Sequence, residues 1–313
     1  MLPVLPLVRL RFVFRLREAL PHAVFQGSLW RGALGYALKS VICIYADPFE
    51  RACPACTLYR YCAYPPLFEP MAEAKEVAGG SKNAVRPFVL EPPIRARRSM
   101  KAGSELALGM VLMGPAMHNL PIMTRAAAQL GEAGLGRNRV RAALVRIEAV
   151  GPNRSIELWP TGSEGALPII DAESIQLAAS RLPEQLTLHF VTPTRIKRDR
   201  KIISEPDAET IIRALLRRLI ALSAMYGEAW YPPTYELISA GAALSANHST
   251  RWQPVSHVST RQKRRMPLSG FKGKLTLHGV PEEIRALLML GSLVHIGKQA
   301  TYGHGWYRIE TEE

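Results

Sequence analysis

The chain opens on a period of two. Val8, Leu10, Phe12, Phe14 and Leu16 alternate with Arg9, Arg11, Arg15 and Arg17, and Val13 sits among the polar set. Alternation built from β-branched and aromatic residues predicts a half-buried strand over 7–17 with a basic outer face. The period then lengthens: Ser28 is placed as an N-cap, and Leu29, Ala33, Tyr36, Ala37 and Val41 recur at helical spacing. Residues 70–105 read as loop, broken by Gly79-Gly80, Pro87, Pro92 and Pro93. A helical stretch is expected over about 105–130, then a glycine-rich loop over 131–139 and a strand through Val150. Residues 151–183 are weakly patterned and read as a connector. The second half starts again with a strand, in which Leu186, Leu188, Phe190 and Thr192 share one face and Pro193 marks the end. A helix follows over about 205–226, with Ser204 as candidate cap, Pro206 in the first turn and Gly227 closing it. A further helix is expected over 281–290, then a second glycine-rich loop, Ile296 to Trp306, and a closing strand.

Each half thus reads strand, helix, further elements, glycine-rich loop, strand. Such repetition predicts an α+β fold made of tandem ferredoxin-like (RRM-like) domains with a Cys-rich insertion. The expected layout is a first domain over 1–160 with the insertion at 43–69, a connector over 161–183, and a second domain over 184–313 that carries the terminal loop.

Charge narrows the range of partners. Lys and Arg number 40 against 26 Asp and Glu, a net +14, in a chain that is 48% hydrophobic. The apolar content excludes a disordered basic tail, and the excess points to a polyanion, nucleic acid ahead of a membrane surface. No stretch reads as a membrane span: Leu106 to Thr124, the longest uncharged one, is broken by glycines and prolines. The apolar N-terminus places its positive charges after the apolar run, the reverse of a secretory signal. A cytoplasmic protein is the expectation. The basic residues cluster on the first strand, at Arg95 to Lys101, at Arg195, Lys197, Arg198, Arg200 and Lys201, and over 251–274, which holds Arg261, Lys263, Arg264 and Arg265 and no acid.

Both glycine-rich loops come after a helix and before a strand. A phosphate-binding P-loop does the opposite, and G-x-x-x-x-G-K-[ST] is absent from the chain. With Arg137 and Arg139 beside the first loop and Lys298 in the second, the phosphates of a nucleic acid are the natural guests; tight turns with incidental basic neighbours are the alternative. Gly32 and Gly35 cost about 1 kcal/mol each inside a helix, which points to close approach of another backbone or of RNA. Cys43, Cys53, Cys56 and Cys62 are the chain's four cysteines. Their C-x2-C-x5-C core suits a metal knuckle, with zinc as the possible structural ion ahead of iron–sulfur. Reduced thiols are the alternative, with Cys43 the first to drop out as a ligand.

These segments resemble the RAMP superfamily of CRISPR-associated proteins, and within it the Cas-six family of precursor-crRNA processing endoribonucleases. The resemblance is carried by Gly27-Ser28-Leu29-Trp30-Arg31-Gly32-Ala33-Leu34-Gly35, by Gly131 to Arg139, by Leu188 to Arg195, by Ser259-Thr260-Arg261-Gln262 through Gly273, and by His295 to Trp306. The Cys53–Cys62 stretch resembles one branch of that family. The resemblance implies two ferredoxin-like domains that bind CRISPR repeat RNA and retain the crRNA. It also implies metal-independent cleavage by the ribose 2′-OH, leaving a 2′,3′-cyclic phosphate, and partnership with other CRISPR effector subunits. It places His22 as the catalytic histidine, with Tyr36 and Lys39 as possible assistants, because Gly35-Tyr36 stands where relatives carry a Gly-His pair. That departure keeps a second expectation open, a non-catalytic subunit that only binds crRNA. Arg31, Arg137, Arg139, Arg195, Lys197, Arg198, Arg200, Arg261, Lys263, Arg264, Arg265, His295, Lys298 and His304 are the expected RNA contacts.

Overall fold

The structure is a computed structural model that describes residues 2–21, 27–45, 47–49, 52–69, 85–94, 99–136, 138–152, 154–160, 162, 166–259 and 264–311. The chain folds as two compact units, Leu5–Ile170 and Asp171–Glu313 with Met1–Val4.

In the first unit the elements are β1 (Leu7–Leu16), α1 (Gly27–Ile42), the short α2 (Tyr64–Phe68), β2 (Phe88–Glu91), β3 (Glu105–Met113), α3 (Leu120–Ala133), β4 (Ala142–Val150) and β5 (Ser155–Trp159). The sheet runs β2-β3-β1-β4-β5, antiparallel throughout. With β5 set aside, that is the ferredoxin-like order, in which the first strand of β-α-β-β-α-β lies between the third and the fourth. The alternation in β1 has its expected effect: Leu10, Phe12, Phe14 and Leu16 are buried, and they join Leu34, Leu38, Met123 and Leu130 from the two helices in one core. Gly35 has a packing reason, since a Cβ there would press on the Phe68 ring. Among the described residues, nothing beyond its own helix lies within 4 Å of where a Cβ at Gly32 would stand.

Three expectations for this half are corrected. Residues 105–113 are strand β3, paired with β1 from Met113 opposite Leu7 to Glu105 opposite Arg15. Its burial is near-continuous, and an unbroken apolar run of Leu, Ala and Met carries no period that separates a buried strand from a buried helix. The loop-rich 70–105 stretch contains β2, and the 151–183 connector contains β5 and a helix.

That helix, α4 (Ala172–Ser180), belongs to the second unit and starts on a capping box between Asp171 and Ser174. The unit continues with β6 (Leu186–Thr194), β7 (Lys197–Arg198), β8 (Lys201–Ile202), α5 (Ala208–Tyr226), α6 (Thr234–Ala242), β9 (Ser245–Gln253), β10 (Ser256–Ser259), β11 (Arg264–Pro267), β12 (Gly270–His278), α7 (Glu282–Val294) and β13 (Tyr307–Glu310). Its main sheet runs β13-β6-β12-β9, the ferredoxin-like order again; β7 with β8 and β10 with β11 form separate two-stranded ribbons. The cap of α5 is Asp207, whose carboxylate accepts the Thr210 N–H at 2.7 Å, and not Ser204. Ile211, Leu215, Leu219 and Leu222 bury the stripe read from sequence.

The strain at Gly305 leads to a stability prediction. Its φ is +71°, and a Cβ would collide with the Ile296 carbonyl oxygen. Replacing it with Ala combines a left-handed penalty with a backbone clash. Gly305→Ala is expected to lose more than about 1 kcal/mol of stability, read as a lower denaturant midpoint; Gly32→Ala, in open space inside a helix, is expected to be neutral or stabilising.

Candidate nucleic-acid interface

The second glycine-rich loop is built against the end of β6. α7 stops at Val294, and His295 leaves the helix with φ +60°. Five backbone hydrogen bonds then shape and seat the loop: Ile296 N–H to the Gly305 carbonyl at 3.0 Å, Lys298 N–H to Arg195 at 2.9 Å, Tyr302 N–H to Gln299 at 2.8 Å, Gly305 N–H to Pro193 at 3.1 Å, and Val191 N–H to Trp306 at 3.0 Å. The loop therefore lies flat on the Pro193–Ile196 segment, with Lys298 beside Arg195.

That placement gathers cations. The Lys298 ammonium titrates below the ordinary lysine value because of partial burial and, next, because Lys197, Arg195 and Arg217 lie near it. No acid contributes to that shift. Arg195 is held in place: its Nη1 donates to the Ser269 carbonyl at 3.0 Å. Lys197, Arg217 and Lys298 are exposed. Four like charges held together by backbone geometry have no favourable interaction with one another, and an anion with several oxygens relieves them all. Sequence reasoning missed Arg217. It lies on the polar face of α5, and periodicity assigns such residues to solvent. Next to it, Arg218 sends its Nε–H to the Val294 carbonyl at 2.8 Å, tying α5 to the helix end from which the loop departs. Burial lowers Arg218 to about 10, so it stays charged at neutral pH.

The other expected contacts separate into groups. Arg198 is committed to Asp207 at 2.7 Å and to Glu209 at 3.6 Å, whereas Arg200 and Lys201 are exposed. His295 and His304 are buried, His295 stacked on Trp306 at 5.9 Å between ring centroids and His304 with its Nδ1 donating to the Pro193 carbonyl at 3.1 Å. These two rings shape the loop from inside and are not on the surface where RNA contact was expected. In the first unit Arg139 is exposed and Arg31 lies over the Phe68 ring at 5.2 Å. Arg137, Arg261 and Lys263 lie outside the described residues, as do the side chains of Arg264 and Arg265 on β11.

The basic face of β1 is corrected outright. Arg9 pairs with Glu91, Arg11 with Glu148, Arg15 with Glu105 and Arg17 with Glu132. The face is a ladder of ion pairs, so its charge is largely cancelled locally.

Of the residues expected to act in catalysis, His22 lies outside the described residues. Tyr36 is 57% exposed and stacks on Phe49, with ring centroids 4.5 Å apart and planes within 6°. Lys39 is buried, its ammonium 5.1 Å from the Phe49 ring centre and 5.7 Å from that of Tyr64. It lines a cavity together with Cys43, Cys53, Cys56 and Cys62, all four as free thiols. Burial, and then Glu69, pushes the Cys53 thiol up. Among the described residues no group of three or more His, Cys, Asp or Glu is gathered closely enough to hold a metal ion as the chain stands.

Comparison with known proteins fits both units. Residues 5–172 match a family described as an N-terminal domain, AF_1859_N, and residues 188–307 match the CRISPR-associated endoribonuclease Cas6. The chain belongs to the AF_1859_N family, and its second unit is similar to Cas6. An uncharacterized protein of Archaeoglobus fulgidus is 25% identical over 292 residues, 92% of each chain. A Thermus thermophilus Cas6 shares the fold with a TM-score of 0.54 at 16% identity, covering 98% of this chain and 99% of that one. A chain of a Cas6-RT-Cas1–Cas2 complex gives a TM-score of 0.63 at 13% identity over 98% of this chain, which spans 29% of that longer chain.

Two predictions follow from the geometry of this loop. Lys298→Ala is expected to weaken RNA binding by about tenfold and to lower the salt slope of binding by about one unit. Arg15→Ala, which breaks an existing ion pair, is expected to leave both nearly unchanged. The second prediction concerns acid. Burial lowers His304 from 6.5 to about 4, so the folded form excludes a proton that the unfolded chain accepts below 6.5. Its contribution is intact above pH 6.5 and is lost as pH falls toward 4, at most about 3 kcal/mol in all. The wild-type denaturant midpoint is expected to drop more steeply across that window than that of His304→Asn.

Proposed function

We propose that this chain cuts CRISPR precursor RNA within its repeats and keeps hold of the crRNA. The observation that carries this reading is the cation cluster of Arg195, Lys197, Arg217 and Lys298 on a loop fixed by backbone hydrogen bonds, inside the region that matches Cas6. Cleavage proceeds without a metal ion. A general base takes the proton of the ribose 2′-OH, and the 2′ oxygen attacks the adjacent phosphorus. The bond to the 5′ oxygen breaks as a general acid protonates that oxygen. The products are a 2′,3′-cyclic phosphate and a 5′-OH. The phosphorane formed on the way carries extra negative charge, and preorganised cations of this kind stabilise it. His22 is the proposed proton carrier, with Tyr36, exposed near the middle of α1, as its assistant. Arg139 in the first unit, and Arg200, Arg264 and Arg265 in the second, are further proposed phosphate contacts. The protein acts in the cytoplasm, with repeat RNA as its partner and other effector subunits as further partners.

A second reading, a Cas6 protein that only holds crRNA, draws on two placements: Tyr36 is engaged with Phe49, and Lys39 is buried away from solvent. One experiment separates the two. Purified protein is incubated with end-labelled repeat RNA in EDTA. The cutting enzyme gives one product that ends in a cyclic phosphate. Tight binding with intact RNA would establish the holder instead. His22→Ala is expected to slow cleavage by more than about a hundredfold with affinity unchanged; wild-type rates in that variant would remove His22 from the mechanism.

A further inference from the structure

Every cysteine in the chain lines one small cavity. Cys43 sits one residue past α1, its N–H donating to the Lys39 carbonyl at 2.9 Å. Cys53 and Cys56 belong to one tight turn, closed by the Cys56 N–H on the Cys53 carbonyl at 2.9 Å. Cys62 comes from the next turn, its N–H on the Leu58 carbonyl at 3.0 Å. The rest of the wall is Lys39, Ile42, Tyr45, Tyr59, Tyr64 and Pro65. Among the described residues no carboxylate lines it, and the space of about 40 Å³ holds one ion and little else.

We infer that this cavity takes a single thiophilic metal ion, zinc by its chemistry, with Cys53, Cys56 and Cys62 as core ligands and Cys43 closing the fourth position. Three observations support it. A C-x2-C turn offers two thiolates from one short backbone loop, the arrangement structural zinc sites use. The segment between α1 and α2 has one three-residue 3₁₀ turn and otherwise short hydrogen-bonded turns among its described residues; an ion bound by residues at both ends and in the middle would tie those turns to one another. Lys39 is the third. Four thiolates on a divalent ion carry a net charge of −2, and a buried ammonium on the cavity wall offsets part of it. That gives Lys39 a reason to be buried that cleavage chemistry does not supply. The thiols are not gathered as the chain lies, and binding an ion would require the turns that carry Cys53, Cys56 and Cys62 to move toward Cys43 at the end of α1.

The inference is independent of the RNA reading, because its test measures metal and thiols. Wild-type protein purified under reducing conditions is analysed by plasma mass spectrometry and by thiol titration with and without chelator. One zinc per chain, with thiols that react only after chelation, is the expected result. Apo protein refilled with Co²⁺ is expected to show the intense visible bands of tetrahedral thiolate coordination. Cys56→Ser is expected to weaken cobalt binding by more than tenfold. Folded wild-type protein with four freely reactive thiols and no cobalt spectrum would overturn the inference. Stoichiometric iron and sulfide with broad visible absorbance would overturn it in favour of a cluster.

Discussion

The carbonyls of Pro193 and Arg195 receive N–H groups from Gly305 and Lys298, and the C-terminal site depends on those contacts. They require the loop backbone to come close to another backbone, which is why Gly297 and Gly305 have positive φ and stand where a Cβ would strike the Arg195 and Ile296 carbonyls. Once the loop lies on the strand end, Lys298 has no choice of neighbour. It stands beside Arg195 and Lys197, and α5 brings Arg217. Cationic crowding is thus a consequence of main-chain packing, and the energy that holds the charges together comes from the sheet, the buried histidines and the Arg218 tie to Val294.

The first unit treats charge in the opposite way. Register places Arg11 directly across from Glu148 on β4, and Arg15 directly across from Glu105 on β3. Cross-strand pairs of opposite charge are the cheapest arrangement on an exposed sheet face. Gly109 adds a detail: with no Cβ, it leaves room for the Glu91 side chain, whose carboxylate then receives Arg9. Exposed pairs of this sort contribute about 0–1 kcal/mol each, so their main effect is to cancel charge. The net +14 is therefore a poor map of where an anion binds. Arginines of identical type are cancelled on β1 and concentrated beside the terminal loop.

What could be read in advance follows from the same physics. The alternation of β1 and the stripe of α5 are local patterns, and both were legible, as was the strand–helix repetition that defines two ferredoxin-like units. β3 was not, because a strand buried on both faces has no polar face to reveal its period. The glutamates opposite β1 were visible as residues, but their pairing depends on strand register, which is non-local. Arg217 was hidden for the same reason, since only the return of the chain from α7 turns its face of α5 into part of a site. For His295 and His304 the residue types beside a glycine-rich loop fit RNA contact or packing equally, and burial decides for packing. Here the loop is a packed layer, and its rings point inward.

α1 shows how one helix can serve three neighbours. Its inner face packs on the sheet through Leu34 and Leu38. The missing side chain at Gly35 lets Phe68 in, which draws the segment after the cysteines back onto the helix. One turn later Lys39 closes the other end of that segment, its ammonium between Phe49 and Tyr64. The insertion is therefore clamped to α1 at two points, with the four cysteines between them. A lysine so placed is costly to bury without an anionic partner, and rings alone compensate only part of that cost. Among the described residues, the cavity wall offers four thiols as potential anions. A thiophilic cation bound there, as inferred above, would hold those sulfurs as thiolates beside the ammonium.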